Sequence, residues 1–112
     1  METKSDFFSR HISNIKSTGA VCEECGDKLT GQASEVAHIL PKGVYKSIAT
    51  NDENVVYLCG FMSPNNCHTK FDSNNSTVQG MNIFDKIKNK IEMLSELCSE
   101  RISLSVRKRY QL

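Results

Sequence analysis

The chain has 112 residues, of which 38% are hydrophobic, and a formal net charge of +1. This length suits one compact domain, and the modest apolar content predicts a small core that gains from a staple such as a metal ion. No apolar run is long enough to span a membrane, and the N-terminus lacks the pattern of a signal peptide. We therefore expect one domain over residues 1–112, in a reducing cytoplasm where the five cysteines form no disulfides.

Charge is unevenly distributed along the chain. Residues 82–112 carry seven Lys or Arg against four acidic residues, and residues 1–81 carry a net charge of −2. A basic segment of this kind is compatible with contacts to phosphate groups. The run Arg107-Lys108-Arg109 is one candidate for such contacts, although basic residues at a helix end are also favoured by the helix dipole.

An amphipathic helix is predicted over residues 4–18. Thr3 and Asp6 fit a capping pattern, and Gly19 is a typical stop. Apolar residues at positions 8, 12 and 15 recur at helical spacing and define the face that we expect to be buried. His11 in this helix is expected to be a surface or lightly buried histidine rather than part of a site.

The middle of the chain predicts two short strands and one short helix. Residues 34–39, which contain Val36, Ala37 and Ile39, predict the first strand, and the apolar, β-branched residues 55–58 predict the second. The long irregular connection between them is of a kind that often carries function. Residues 67–74 predict a short helix, followed by a polar spacer at 73–77.

A long helix is predicted over residues 82–108. Six apolar side chains follow one another in steps of three or four and form a single stripe: Ile83, Ile87, Ile91, Leu94, Cys98 and Ile102. Cys98 lies on this stripe, so it is interpreted as a small core residue rather than a ligand.

Four cysteines suit a structural zinc site. Cys22 and Cys25 have the spacing of a zinc knuckle, and Gly26 allows the tight turn behind them. Cys59 and Cys67 are separated by seven residues, which is wider than the usual spacing. The alternative is that some of these cysteines are buried free thiols, but a small cytoplasmic protein would gain folding energy from the ion.

His68 and Asp72 are candidate ligands of a second, divalent ion. Four residues apart, they would share one face of the predicted helix, and two protein ligands leave room for water and a phosphate oxygen. Two alternatives stay open: His68 replaces Cys67 as a zinc ligand, or Asp72 is a surface or capping charge.

His38 and Asn54 are the remaining candidates for chemistry. His38 follows an apolar run at a strand end, where a neutral imidazole can take a proton from water, or where it can be an ordinary core histidine. Asn54 precedes the second strand, where it can hydrogen-bond loop backbone and fix the loop behind His38, or serve as a plain turn residue.

The order of these motifs resembles the HNH (His-Asn-His, ββα-metal or His-Me finger) endonuclease family, in its zinc-containing form. The motifs are Cys-x-x-Cys-Gly, Val-Ala-His-Ile-x-Pro, Asn-Val-Val-x-Leu-Cys and Cys-His-x-x-Phe-Asp, within residues 20–74. The resemblance implies that His38 is the general base and that Asn54 orients it. It also implies that His68, with Asp72, binds catalytic Mg²⁺ or Mn²⁺, and that the cysteines bind zinc.

The chain departs from the family pattern at one position that concerns the metal. Many members carry Asp or His directly before the base, as a further ligand, and this chain has Ala37, with Glu35 as a weak substitute. The seven-residue gap between Cys59 and Cys67 is similar to a tolerated loop insertion.

The expected fold is therefore a small α+β domain, with a zinc-stapled ββα-metal core between an N-terminal helix and a long C-terminal helix. The expected activity is metal-dependent hydrolysis of DNA, with Lys42, Lys46 and Lys70 as further candidates for phosphate contacts or as ordinary solvated lysines. One alternative is a zinc-stabilised nucleic-acid-binding module without catalysis. Another is an assembly protein that forms a homodimer through its last helix.

Overall fold

Helices surround a small antiparallel sheet in residues 2–112, the part of the chain that the computed structural model describes. The helices are α1 (Lys4–Thr18), α2 (Cys67–Phe71), α3 (Asn75–Gln79), α4 (Phe84–Leu97) and α5 (Leu104–Tyr110). The strands are β1 (Val36–His38) and β2 (Val55–Tyr57), and single-turn 3-10 helices cover Ala33–Glu35, Lys46–Ile48 and Asp52–Asn54. The radius of gyration, 13.6 Å, is close to the value of about 13 Å expected for a compact chain of this length.

Helix α1 begins and ends where its local signals place it. Thr3 accepts a hydrogen bond from the backbone N–H of Asp6 at 3.1 Å, and Gly19 closes the helix with a left-handed φ of 64°. The buried face, however, runs through Phe7, His11 and Ile15, whereas positions 8 and 12 are only half-buried. The predicted face was therefore correct at Ile15 and one residue off elsewhere, and His11 lies inside the protein.

The two strands bring together His38 and Asn54, at the two ends of the loop that connects the strands. They pair antiparallel, with Val36 opposite Tyr57 and His38 opposite Val55. The first strand is shorter than predicted because residues 33–35 form a 3-10 turn instead of extended chain. The buried carboxylate of Glu35 explains the turn, since it accepts hydrogen bonds from the backbone N–H groups of Thr30, Gly31 and Gln32.

Two short helices replace the helix and spacer predicted between residues 67 and 77. Helix α2 ends at Phe71, and the next helix begins within the Ser/Asn segment. Asn74 starts α3 because its side chain accepts a hydrogen bond from the backbone N–H of Thr77 at 2.9 Å.

The long C-terminal helix predicted over residues 82–108 is wrong. Helix α4 ends at Leu97, and residues 98–103 are an extended break before α5. The break is stabilised from outside, because the backbone N–H of Ser99 donates to the hydroxyl of Ser47, and the backbone N–H of Ser103 donates to the hydroxyl of Tyr45. Ser103 then caps α5 by accepting from the backbone N–H of Val106.

This break places α5 against α3 and closes the core. The ring of Tyr110 stacks on that of Phe84, with centroids 6.0 Å apart, and is buried. Ile87, Ile91 and Leu94 of the predicted apolar stripe pack in the chain's own core. Cys98 is half-buried against the same core, as expected for a small core residue. Among the described residues, no helix combines the length and the apolar character needed to cross a membrane.

Candidate metal centre and histidine cleft

The four predicted zinc ligands lie in one cluster. The sulfur atoms of Cys22, Cys25, Cys59 and Cys67 are all within 4.8 Å of one another, and Cys25 is the exposed member. They come from three places: the knuckle after α1, the end of β2 and the first residue of α2. Gly26 makes the knuckle turn with a φ of 81°, and its N–H donates to the carbonyl of Cys22.

The donor set fits zinc. Tetrahedral coordination with Zn–S bonds of about 2.3 Å places the sulfurs about 3.8 Å apart. The distance between Cys25 Sγ and Cys59 Sγ is 3.8 Å. The backbone N–H of Cys67 donates to Cys59 Sγ at 3.2 Å, the kind of contact that supports a thiolate. A closed set of four cysteines leaves no open coordination position, so this cluster suits a structural ion.

Ionisation of the cysteine thiols in this cluster is favoured by a cation between them. Burial raises the pKa of the Cys67 thiol, and the thiol of Cys59 beside it raises that pKa further. Burial also acts against ionisation of Cys59, but the backbone N–H of Cys67 and its other hydrogen-bond partners bring its pKa below the usual value. Four thiolates at these distances would repel one another strongly, so their joint ionisation requires a divalent cation between them.

The knuckle also anchors two other elements. The carboxylate of Glu24 accepts hydrogen bonds from the backbone N–H groups of Asn82 and Ile83, at 3.0 and 2.9 Å, directly before α4. Glu23 accepts from the backbone N–H of Tyr57 and forms an ion pair with Lys86. The position of the knuckle therefore determines where α4 starts.

Helix α2 carries a zinc-site cysteine and a cleft histidine on consecutive residues. The backbone N–H of His68 donates to the carbonyl of Cys59 at 3.0 Å. Its Nδ1 contacts the carbonyl oxygen of Ser34, and its Nε2 lies 3.3 Å from Asp72 Oδ2. His68 is therefore turned away from the four-cysteine cluster, so the predicted alternative in which it replaces Cys67 does not hold.

The hydrogen bonds of His68 leave its Nε2 facing a carboxylate oxygen of Asp72. A carbonyl oxygen only accepts, so Nδ1 carries the proton and the lone pair of Nε2 points towards the carboxylate of Asp72. Two lone pairs at 3.3 Å repel unless a cation or a proton lies between them. An imidazole nitrogen and a carboxylate oxygen are a suitable donor pair for a divalent ion.

His38 lies at the end of β1 with one ring nitrogen in use. Its Nε2 is 2.8 Å from the carbonyl oxygen of Ala49, so Nε2 carries the proton and Nδ1 has an available lone pair. The rings of Phe7 and Phe8 lie 5.6 and 5.5 Å from the imidazole, centroid to centroid. Burial lowers the pKa of His38, the hydrogen bond to Ala49 acts in the opposite direction, and the charge of Lys42 lowers it again.

Asn54 joins the strand to the loop behind His38. It is fully buried, and its side-chain oxygen accepts from the backbone N–H of Leu40 at 2.7 Å. Its side-chain nitrogen donates to the carbonyl of Leu40 at 3.0 Å and lies 3.4 Å from that of Ile48. Ile48 directly precedes Ala49, so one amide holds both the segment that follows His38 and the segment that accepts its hydrogen bond.

These residues line one open cleft of about 670 Å³. His38, His68 and Asp72 all contribute to its wall, and Lys42 lies at its edge with its ammonium 4.9 Å from the centroid of the Phe8 ring. Lys46 and Lys70 are exposed and lie outside the lining. The cleft thus unites three of the predicted site residues, and Asn54 supports it from the core.

Glu35 does not substitute for the missing ligand before His38. Both of its carboxylate oxygens are bound to residues 30–32, and these hydrogen bonds lower its pKa although burial opposes them. Ala37 is buried, with 1% of its surface exposed. Among residues 2–112, the side chains that line the cleft and could bind a second ion are therefore His68 and Asp72, beside His38 with its available Nδ1.

A polar network that links the buried His11 to exposed charges on and beside α1 is absent from the predictions. His11 Nε2 lies 2.9 Å from Asp52 Oδ1, and Asp52 also pairs with Arg10. The other ring nitrogen of His11 contacts the hydroxyl of Tyr57. The spacing of Phe7, His11 and Ile15 in steps of four is the sequence signal that would have placed this histidine inside.

The titration of His38 is predicted to occur at lower pH than that of an ordinary histidine. The usual pKa is about 6.5, and burial together with Lys42 lowers it in the folded protein. The imidazole thus stays neutral to lower pH, and any activity that needs its free Nδ1 is lost as the pH falls through the lowered pKa. The contribution of His38 to the free energy of unfolding therefore decreases as the pH falls below about 6.5, because the unfolded chain binds the proton at a higher pH than the folded protein does. NMR titration of the imidazole measures this pKa.

Lys42→Gln is expected to raise the pKa of His38, because the positive charge of Lys42 lowers it in the wild-type protein. Lys28→Gln is the control, since Lys28 lies opposite Val21 beside the cysteine knuckle and does not line the cleft. Two results would contradict this description of the surroundings of His38. One is a His38 pKa above 6.5 in the wild-type protein, and the other is an equal shift of that pKa by Lys42→Gln and by Lys28→Gln.

Comparisons of the chain with protein-family models, with curated proteins and with solved structures give no match.

Proposed function

We propose that this protein is a metal-dependent endonuclease of the HNH type that hydrolyses DNA phosphodiester bonds. The observation that carries the proposal is the shared cleft, in which a histidine with an available Nδ1 lies together with a histidine–carboxylate pair. A base to activate water and a pair of ligands for a divalent ion are the two components that phosphodiester hydrolysis needs.

In this proposal each residue has one role. His38 takes a proton from the attacking water at Nδ1, while the carbonyl of Ala49 holds the protonated Nε2 and fixes the tautomer. Asn54 positions the base by holding Leu40, in the segment that follows it, and Ile48, next to the residue that accepts its hydrogen bond. His68 and Asp72 hold Mg²⁺ or Mn²⁺, which would stabilise negative charge on the phosphate and on the leaving oxygen.

The cysteine cluster has a separate, structural role in the proposal. Zinc bound to the four cysteines fixes the first residue of α2, and His68 is the next residue. The histidine that would bind the catalytic ion is therefore positioned by an ion that does no chemistry.

Metal-dependent nicking of supercoiled plasmid is the expected result. The protein is first loaded with zinc only and freed of other divalent ions, and zinc content is measured so that added metal tests the cleft alone. Added Mg²⁺ or Mn²⁺ should convert supercoiled plasmid to the open circle, whereas the zinc-only sample should not. Asp72→Asn keeps the size of the side chain but removes its charge, so it should raise the Mg²⁺ concentration needed for half-maximal rate.

Failure to cut supercoiled, linear, branched and single-stranded DNA, with zinc retained, would contradict the nuclease. It would favour a second candidate, a zinc-stabilised nucleic-acid-binding module without catalysis. The observation in its favour is the small ligand set, since Ala37 is buried and Glu35 is fully engaged elsewhere. Binding of DNA without cleavage at any metal concentration is the result that this second candidate expects.

A further inference from the structure

A second cavity adjoins the histidine cleft. It has a volume of about 350 Å³ and shares His38, Pro41 and Asp72 with the cleft, so the two cavities meet along these residues, and we call them together the groove. Its far wall is supplied by α5, which reaches this place only because the chain breaks after α4. The residues of that wall are Ser105, Val106, Arg109 and Tyr110.

The guanidinium of Arg109 is held rigidly in this wall. Nη1 donates to the carbonyl of Ser73 at 2.7 Å and to Asn75 Oδ1 at 3.2 Å, and Nη2 donates to the carbonyl of Phe71. A guanidinium has five N–H donors, and these three bonds leave one on Nε and one on Nη2, with the Tyr110 hydroxyl as the neighbouring oxygen among residues 2–112. Donors on these two nitrogens match the spacing of two oxygens of a phosphate.

The positive charge of Arg109 is also uncompensated. Its three partners are neutral oxygens, and it forms no ion pair with a carboxylate in the described chain. Arg10, in contrast, is paired with both Glu2 and Asp52. Arg107, two residues before Arg109 on α5, lines a different cavity beside Ile91. Of the basic run at the end of α5, Arg109 is the member that lines the groove.

Two cations therefore flank the residues that the cleft and the second cavity share. Lys42 lines the histidine cleft and Arg109 lines the second cavity, with His38 and Asp72 between them. The walls beside Arg109 include apolar side chains, namely Phe71, Val106 and Tyr110, which strengthen an ion pair by limiting its exposure to water. The carboxylate of Asp72 would oppose an anion here unless a divalent ion offsets its charge.

We infer that Arg109 binds a phosphate of the substrate strand next to the phosphate that is cleaved, so that the strand runs along the groove from Lys42 to α5. This inference rests on the proposed function for its substrate class. It adds a binding residue outside the 20–74 segment that carries the family resemblance. It also assigns a substrate-binding role to α5, which the sequence pattern had merged into one long helix.

Binding measurements on a His38→Ala background test the inference without turnover. Arg109→Met should weaken binding of a short single-stranded oligonucleotide roughly tenfold at low salt and reduce the slope of log K against log salt by about 0.7, one phosphate contact. Arg107→Met is the matched control and should leave both values unchanged. Arg109→Lys also loses the contacts to the carbonyls but keeps the positive charge. It should therefore show the parent's slope of log K against log salt, including where its Tm is as low as that of Arg109→Met.

A methylphosphonate scan locates the phosphate. Each oligonucleotide carries one neutral linkage, and the parent protein should bind several of these oligonucleotides more weakly. For one of them, Arg109→Met should bind as tightly as the parent, because the phosphate that Arg109 contacts has already lost its charge. Unchanged slope in Arg109→Met, or equal effects of Arg107→Met, would overturn the inference while the nuclease stands. Salt-dependent binding that needs Arg109, without cleavage by the wild-type protein, would overturn the nuclease alone. No DNA binding at any salt concentration would overturn both.

Discussion

Disruption of the four-cysteine cluster is expected to unfold the protein. Cys67→Ser should lower the zinc content from one ion per chain to near zero, and should reduce the free energy of unfolding by about 5 kcal/mol or more. That amount is comparable with the whole stability of a small domain, so cooperative thermal unfolding should disappear near room temperature. Metal analysis, circular dichroism and urea unfolding measure the three quantities.

The physical reason is that one cluster holds three parts of the chain. Its ligands come from the knuckle, the end of β2 and the start of α2, and Glu24 in the knuckle also caps the beginning of α4. Without the ion, four mutually repelling or protonated sulfurs would replace these bonds, in a chain whose hydrophobic fraction is only 38%. A core of this size has little else to offset the conformational entropy of ordering these loops.

Cys98→Ser is the matched control for this prediction. Cys98 is half-buried and outside the cluster, and its thiol contacts the carbonyl of Glu100. This variant should retain one zinc per chain and lose little stability. If Cys67→Ser folds like the parent while holding no zinc, the four cysteines are free thiols and the structural role of the ion is wrong.

His38→Ala is expected to lower the rate of plasmid nicking by about 10²–10⁴-fold, the range typical for removal of a general base. Zinc content and Tm should stay near those of the wild-type protein, because His38 is only half-buried and makes one backbone hydrogen bond. Rates must be compared at saturating Mg²⁺ and at a pH above the His38 pKa, where the wild-type imidazole is neutral.

Added imidazole distinguishes a catalytic role of His38 from a structural one. The substitution leaves a gap between Ala49 and the two phenylalanine rings, so free imidazole should restore part of the rate in His38→Ala. His68→Ala should instead need a higher Mg²⁺ concentration for its half-maximal rate, and added imidazole should not restore its rate through proton transfer. Equal nicking by His38→Ala and wild type would eliminate His38 as the base, whatever the fate of the other residues.

Local signals in the sequence were sufficient for the elements that local bonds define. Helix α1 was predicted at its observed residues because Thr3 caps its start and Gly19 ends it, both within a few residues of the helix. The four cysteines were identified because Cys22 and Cys25 have the spacing of a zinc knuckle and because four thiolates suit a tetrahedral ion. The cleft residues were placed close together by a resemblance between motifs rather than by composition or periodicity.

Most of the features that were missed depend on partners far away in the chain. The break after α4 is fixed by hydroxyl groups of Tyr45 and Ser47, more than fifty residues away, and apolar periodicity cannot report such bonds. Periodicity identified the buried residues of this segment, including Ile102, although the backbone there is not helical. Ser103 and Asn74 were local cap signals that a closer comparison with helix starts would have found. The groove at Arg109 follows from the break and was therefore out of reach.

The adjacency of Cys67 and His68 on a helix of five residues has a consequence for how the protein matures. The helix is too short to form alone, so His68 acquires its orientation only when the cysteine beside it is bound. Under the proposed function, a newly made chain cannot cut DNA until zinc has reached it. The supply of zinc would then control when the divalent ion of the cleft becomes useful, and chains made without zinc would stay unfolded and inactive.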